Sequence, residues 1–72
     1  MSITEIKNKY LVSGGYDTEI FETDNYGDGL KEFLNRIKLT KPFTSETITF
    51  SSVAYIGDLW IGYTILHRVI LK

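Results

Sequence analysis

Hydrophobic and polar positions alternate most clearly in the last third of the chain, ETITFSSVAYIGDLWIGYTILHRVIL over residues 46–71. A period of two marks a half-buried strand. Gly57-Asp58 interrupts the pattern where a two-residue hairpin turn fits, with glycine supplying the positive φ of a primed turn. The turn sets a register in which Ile56 faces Leu59, Tyr55 faces Trp60, Ala54 faces Ile61 and Phe50 faces Ile65. Alternation then sorts the side chains into two faces. One carries Ile48, Phe50, Ser52, Ala54 and Ile56 with Leu59, Ile61, Tyr63, Ile65, His67 and Val69, and is the predicted core face. The other carries Thr47, Thr49, Ser51, Val53 and Tyr55 with Trp60, Gly62, Thr64, Leu66, Arg68 and Ile70. That second face is polar in its middle and apolar near the turn.

Upstream, residues 9–13 (KYLVS) and 18–23 (TEIFET) read as two strands around Gly14-Gly15-Tyr16-Asp17. A four-residue loop pairs Leu11 with Ile20, Tyr10 with Phe21 and Lys9 with Glu22, which sets apolar beside apolar and opposite charges together. Ser2-Ile3-Thr4-Glu5 fits a capping box, so a short N-terminal helical turn is expected, with Ile3 and Ile6 turned inward. Residues 24–42 hold the clear helix. Asn25 or Asp28 can cap it, and Leu30, Phe33, Leu34 and Ile37 form one apolar stripe at i, i+3, i+4 and i+7. Glu32 and Arg36 form an i,i+4 pair, Lys38 and Lys41 suit the C-terminal end of the dipole, and Pro42 stops the pattern. The expected fold is α+β: a four-stranded, mainly antiparallel sheet in ββαββ order, with one helix on one face and the C-terminal hairpin at the sheet's centre.

Length and composition narrow this further. Seventy-two residues make one small domain, 1–72, and the absence of cysteine removes disulfides and thiolate metal sites. A formal net charge of −1 argues against strong non-specific nucleic-acid binding. No apolar run reaches membrane-spanning length and the first twenty residues lack a signal-peptide pattern, so a cytoplasmic location is expected and no membrane partner.

Candidate chemistry is sparse. His67 is the only histidine and has no second ligand or nucleophile beside it, so a structural role is expected. Asn25-Tyr26-Gly27-Asp28-Gly29 lacks the Walker lysine and the GxGxxG pattern, and its acids would repel phosphate. Six of the nine acidic residues, Asp17, Glu19, Glu22, Asp24, Asp28 and Glu32, fall within sixteen positions that contain one base, Lys31. They do not follow the spacing of an EF-hand loop. They form either a solvated face or an acidic surface for a basic partner, in which Asp17, Glu19, Glu22 and Asp24 are the candidate contacts. Tyr55 and Trp60 oppose each other on the non-core face. The pair either steadies the hairpin or, with Val53 and Leu66, anchors a partner. Base stacking is a third use, but Arg68 and Lys72 are the only cations that this hairpin offers to it. No catalytic residue, metal ligand or cofactor is expected.

Shortness, lack of cysteine, the compact ββαββ order and the acidic middle resemble the small α+β proteins that phages encode, including some anti-CRISPR proteins. That resemblance implies a non-enzymatic inhibitor that blocks a host enzyme or complex by binding it in the host cytoplasm. The alternatives are a self-associating accessory protein that dimerises through its exposed sheet face, and a nucleic-acid-binding module.

Overall fold

The polar residues before the helix act as its cap. In the computed structural model, which describes residues 5–16, 18–40 and 46–71, Asn25 accepts a hydrogen bond through its side-chain oxygen from the Asp28 N–H at 2.9 Å. Its own N–H donates to Thr23 Oγ1 at 3.1 Å. The first helical hydrogen bond, from Gly29 N–H to Asn25 C=O, is 3.1 Å long. An Asn at this position satisfies donors that the first helical turn leaves free. The elements are β1 (Ile6–Gly14), β2 (Phe21–Thr23), α1 (Tyr26–Thr40), β3 (Glu46–Ile56) and β4 (Leu59–Leu71). All pairings are antiparallel and the strand order is β2-β1-β3-β4. This is the expected ββαββ, α+β arrangement, with an open sheet and α1 on one face. The hairpin does not form the sheet's centre, however. β1 and β3 lie in the middle, and β4 is an edge.

The core is small. Val12, Phe33, Ile48 and Phe50 are buried, and Tyr10, Phe21, Leu30, Ile37, Leu66, Val69 and Leu71 pack around them. The helix turns inward Gly29, Phe33, Arg36 and Thr40, a stripe rotated from the predicted one. Leu30 and Ile37 flank the stripe, and Leu34 is 55% exposed. Two local features turn the helix. A Cβ on Gly29 would lie 2.7 Å from Phe50 Cε1, so the helix touches the sheet where it has no side chain. Arg36, only 2% exposed, pairs through Nε with Glu32 at 2.8 Å and through an NH group with the Gly14 carbonyl at 3.1 Å. A buried guanidinium needs such partners.

The N-terminal strands differ from expectation in extent and register. The capping box falls on residues 1–4, outside the described residues, apart from Glu5, and Ile6 is the exposed first residue of β1. β1 therefore starts three residues earlier than 9–13, because its pairing with β3 runs on from Gly14↔Ile48 to Ile6↔Ile56. β2 is cut to Phe21–Thr23 and pairs Tyr10↔Thr23, Leu11↔Glu22 and Val12↔Phe21, two residues from the expected register. Gly14 and Gly15 both have positive φ, and Thr40 Oγ1 accepts a hydrogen bond from Tyr16 N–H at 2.7 Å. The chain is thus held against the end of the helix, and the connection becomes longer than four residues.

The hairpin turn forms as expected, with φ of +59° at Gly57 and no positive φ at Asp58, the pattern of a type II′ turn. Tyr55↔Trp60 and Ile56↔Leu59 pair as read from the sequence. Two irregularities then shift the register. β4 has an extra residue at Ile61, between Ala54↔Gly62 and Tyr55↔Trp60, and another at Leu66, between Phe50↔His67 and Ser51↔Ile65. Phe50 therefore faces His67 instead of Ile65. Each bulge also exchanges the faces of the residues beyond it.

Phe33→Ala should cost about 3–5 kcal/mol, as truncation of a buried phenylalanine does. Gly29→Ala should also destabilise, by about 1–3 kcal/mol, because overpacking against Phe50 outweighs the better helix propensity. Denaturant midpoints check both, and a stabilising Gly29→Ala would contradict the close approach.

Candidate contact face

Residues paired across antiparallel strands share a face, so the register arranges the side opposite α1 in rows. Lys7, Tyr55 and Trp60 form the row nearest the turn, and Lys9, Val53 and Tyr63 the next. Leu11, Ser51 and Ile65 make the third, with Glu22 beside them on β2. Ser13, Thr49 and Arg68 come after, and Thr47 and Ile70 lie at the far end. No described element covers these rows. Val53, Ser51 and Thr49 are nonetheless buried, because side chains from β1 and β4 close over the central strand. Exposure is concentrated on β4, where Trp60 is 60% exposed and Tyr63 51%. Their rings meet edge to face at 6.4 Å. The Trp60 indole N–H donates to the Gly62 carbonyl at 2.7 Å, which holds the ring along its own strand and leaves it no free donor.

The described chain measures 54 × 17 × 17 Å. A fifteen-residue helix is about 22 Å long, so it covers less than half of the long axis. Near the turn the sheet is bare on both sides. On the helix side Ile6, Ile56 and Leu59 form a row there, with Ile6 and Leu59 exposed.

Lys9 donates to Glu22 Oε2 at 3.1 Å across the sheet and lies 5.8 Å from the centre of the Tyr55 ring. This is the expected Lys9–Glu22 pair, formed diagonally instead of directly. The Glu22 hydrogen bond, then the charges of Glu22 and Asp24, raise the Lys9 pKa above its ordinary 10.5. A raised lysine pKa means that the pair's contribution is present at neutral pH and is lost only as pH rises through the folded-state value.

The residues expected to make contacts do not gather in one place. Val53, Tyr55 and Trp60 share the open face, with Val53 as its floor, only 2% exposed. Leu66 does not join them, because its bulge turns it to pack on the core. Of the acidic candidates, Asp17 lies outside the described residues. Glu19 and Asp24 are exposed in the connections on either side of β2, and Glu22 is taken up by Lys9. Tyr63 and Ile65, expected in the core, stand exposed on the open face, and Ile61 is exposed at its bulge. Lys7 and Lys9 join the aromatic rows from β1, which the hairpin alone did not suggest. Gly62 was the one available signal, since an isolated glycine within a strand often marks a bulge.

His67 faces Phe50 instead of Ile48, and its ring stacks on Phe33 and Phe50 at 6.0 and 6.2 Å. Among the described residues no group of three or more metal-ligating side chains forms. A shallow cleft of about 530 Å³ beside the helix is lined by Phe21, Asp28, Lys31, Glu32, Leu34, Asn35 and Lys38, a set without a hydroxyl, thiol or imidazole. No described helix is long and apolar enough to cross a membrane. Comparison of the chain with family models, curated proteins and solved structures finds no match.

Glu22→Gln should return the Lys9 titration toward 10.5, read from its ε-methylene NMR shift against pH, and no change would contradict the pair.

Proposed function

We propose that the chain is a non-catalytic binding module that holds a protein partner on the uncovered face of its sheet. The observation that carries this reading is the exposed Trp60–Tyr63 pair, in ring contact on a face that no described element covers. Exposed aromatics beside aliphatic residues, bordered by threonine, serine and charge, have the composition of a contact surface. Trp60, Tyr63 and Ile65 stand exposed in successive rows of this face, and contiguous apolar patches of roughly 300–600 Å² on monomers are often functional. An inhibitor of the kind the chain resembles would act by occupying its target through this face, with no chemistry of its own.

Affinity capture with the intact chain as bait, compared with three variants, tests the reading. Trp60→Ala and Tyr63→Ala should each weaken retention of a captured protein by about 2 kcal/mol if they are hot spots. Leu34→Ala, exposed on the helix and away from the open face, should leave it unchanged. Only variants whose circular dichroism shows an intact fold are compared, since the aromatics also steady the hairpin. Retention that is equal for all three would overturn the reading. A mass that doubles with concentration, and fails to double in Trp60→Ala, would show that the face serves a homodimer.

A further inference from the structure

The two edges of the sheet are unlike. On one side β2 has three residues, and past it the open stretch of β1 borders a cleft that Glu5, Lys7, Lys9 and Asp24 line. Short strands and charge are how natural proteins guard an edge against pairing. On the other side β4 runs for thirteen residues, LWIGYTILHRVIL, with no Lys, Asp, Glu or Pro. None of the thirteen is buried, and six of the twelve large hydrophobic side chains exposed among the described residues belong to it. α1 packs chiefly on β1, β2 and β3, which leaves the approach to β4 clear. No described strand pairs with the outer side of β4.

The two bulges decide what can pair there. A regular strand must leave one residue of β4 unmatched at Ile61 and another at Leu66, as β3 does on the inner side. A second copy of β4, run antiparallel, meets those irregularities with its own in reverse order. With a two-fold axis through Thr64, normal to the sheet, Tyr63 faces Ile65 of the second copy, Trp60 faces its Arg68 and Leu59 faces its Val69. In each of these pairs both residues lie on the same side of the sheet, as an antiparallel ladder requires. Between the Trp60–Arg68 and Tyr63–Ile65 pairs each strand supplies two residues, so neither has one left over. An axis between Tyr63 and Thr64 would set residues of opposite sides together. An axis through Tyr63 keeps the sides but sets Ile61 and Leu66 against Ile65 and Trp60. The Thr64 register also joins an aromatic to a β-branched residue, threonine to threonine on the axis, and a guanidinium to an indole.

We infer that the chain forms a closed dimer through the outer edges of β4, paired antiparallel about Thr64. The outer strands of the joined sheet are then the two guarded β2 edges, so assembly stops at two copies. The two-fold axis puts both open faces on one side, and a protein held there would meet a doubled surface. The inference goes beyond the protein-binding reading and does not depend on it.

Cross-linking and sedimentation test it. The chain has no cysteine, so a single Thr64→Cys reports alone. Cα atoms paired across antiparallel strands are about 4.5–5.5 Å apart, within disulfide reach. Thr64→Cys should therefore form a disulfide-linked dimer on mild oxidation, faster than Tyr63→Cys or Ile65→Cys alone. A mixture of those last two should cross-link to each other. In sedimentation the intact chain should pass from monomer to dimer as concentration rises. Thr64 is exposed, so the monomer tolerates charge there. Thr64→Lys and Thr64→Glu should each weaken the dimer about fivefold by setting like charges opposite each other, and mixing the two variants should restore it. Circular dichroism confirms that each compared variant is folded. A chain that stays monomeric and gives no rapid Thr64→Cys cross-link would overturn the inference, as would Tyr63→Cys cross-linking fastest. A dimer kept in Thr64→Lys but lost in Trp60→Ala would be the face-to-face one, and would overturn it too. Capture of a protein partner by the Thr64→Lys chain reads the open face separately, so each reading can fail without the other.

Discussion

The fold depends on the contact between Phe50 and the helix. Phe50 is fully buried on β3, and the rings of Tyr10, Tyr26, Phe33 and His67 surround it at 5.4 to 6.2 Å. It can hold that place because α1 offers Gly29 there, where any side chain would collide with the ring. Close approach brings dispersion contacts that a larger separation would forfeit. In a chain of this size, with no disulfide, one such aromatic cluster is most of the available core. It also fixes the roll of the helix. With Gly29 and Phe33 inward, Arg36 lies two turns on from the glycine and reaches the Gly14 carbonyl at the end of β1. That contact and the Thr40–Tyr16 hydrogen bond tie the helix end to the connection between β1 and β2, which the two positive-φ glycines steer.

The same concentration of packing leaves the other half of the molecule uncovered. The helix and its cluster lie over one part of a 54 Å body, and the tip of the β3–β4 hairpin extends past them. Cross-strand pairs hold that tip, aided by pairing with the start of β1, where Ile6 lies against Ile56. Trp60 satisfies its only donor on its own strand. Such a segment keeps its shape without a second layer, and for that reason it can present apolar side chains to something else.

Local chemistry decides the features that are legible in the sequence. Gly57-Asp58 requires a primed turn whatever lies around it, and the first two pairs beside it are set by that turn. Asn25 caps the helix through atoms three residues away. The i,i+4 pair of Glu32 and Arg36 is likewise short-range, and the long Lys9 side chain still reaches Glu22 across the neighbouring strand although the register is shifted. The features that differ from expectation depend on distant partners. Apolar periodicity alone places Leu34 inside, but a glycine contact and a buried arginine set the roll of the helix. The first residues of β1 alternate too weakly to read as a strand, and pairing with β3 extends it. The bulges at Ile61 and Leu66 matter most, since each moves side chains across the sheet. Unbroken alternation puts Tyr63 and Ile65 in the core, and it puts Leu66 on a contact face to which it does not belong.

Those bulges also explain why the open face is richer in apolar side chains than the hairpin pattern implies. Without them, strict alternation from the turn would set Gly62, Thr64 and Leu66 beside Trp60, a face with one aromatic row. The extra residue at Ile61 returns Tyr63 and Ile65 to the side of Trp60 and sends Gly62 and Thr64 to the helix side, where little covers them. The second bulge restores the phase, so that Val69 and Leu71 can close the core below the helix. Between the two irregularities, β4 is out of step with its own ends. One strand therefore serves the core at its C-terminal half and exposes its aromatic and aliphatic side chains at the other. A regular strand could not do both, because Tyr63 and Ile65 would then fall on the same side as Val69 and Leu71. The same bulges interrupt the outer edge of β4 as a pairing template for a regular strand, while Lys7 and Lys9 of β1 flank the rings on the open face.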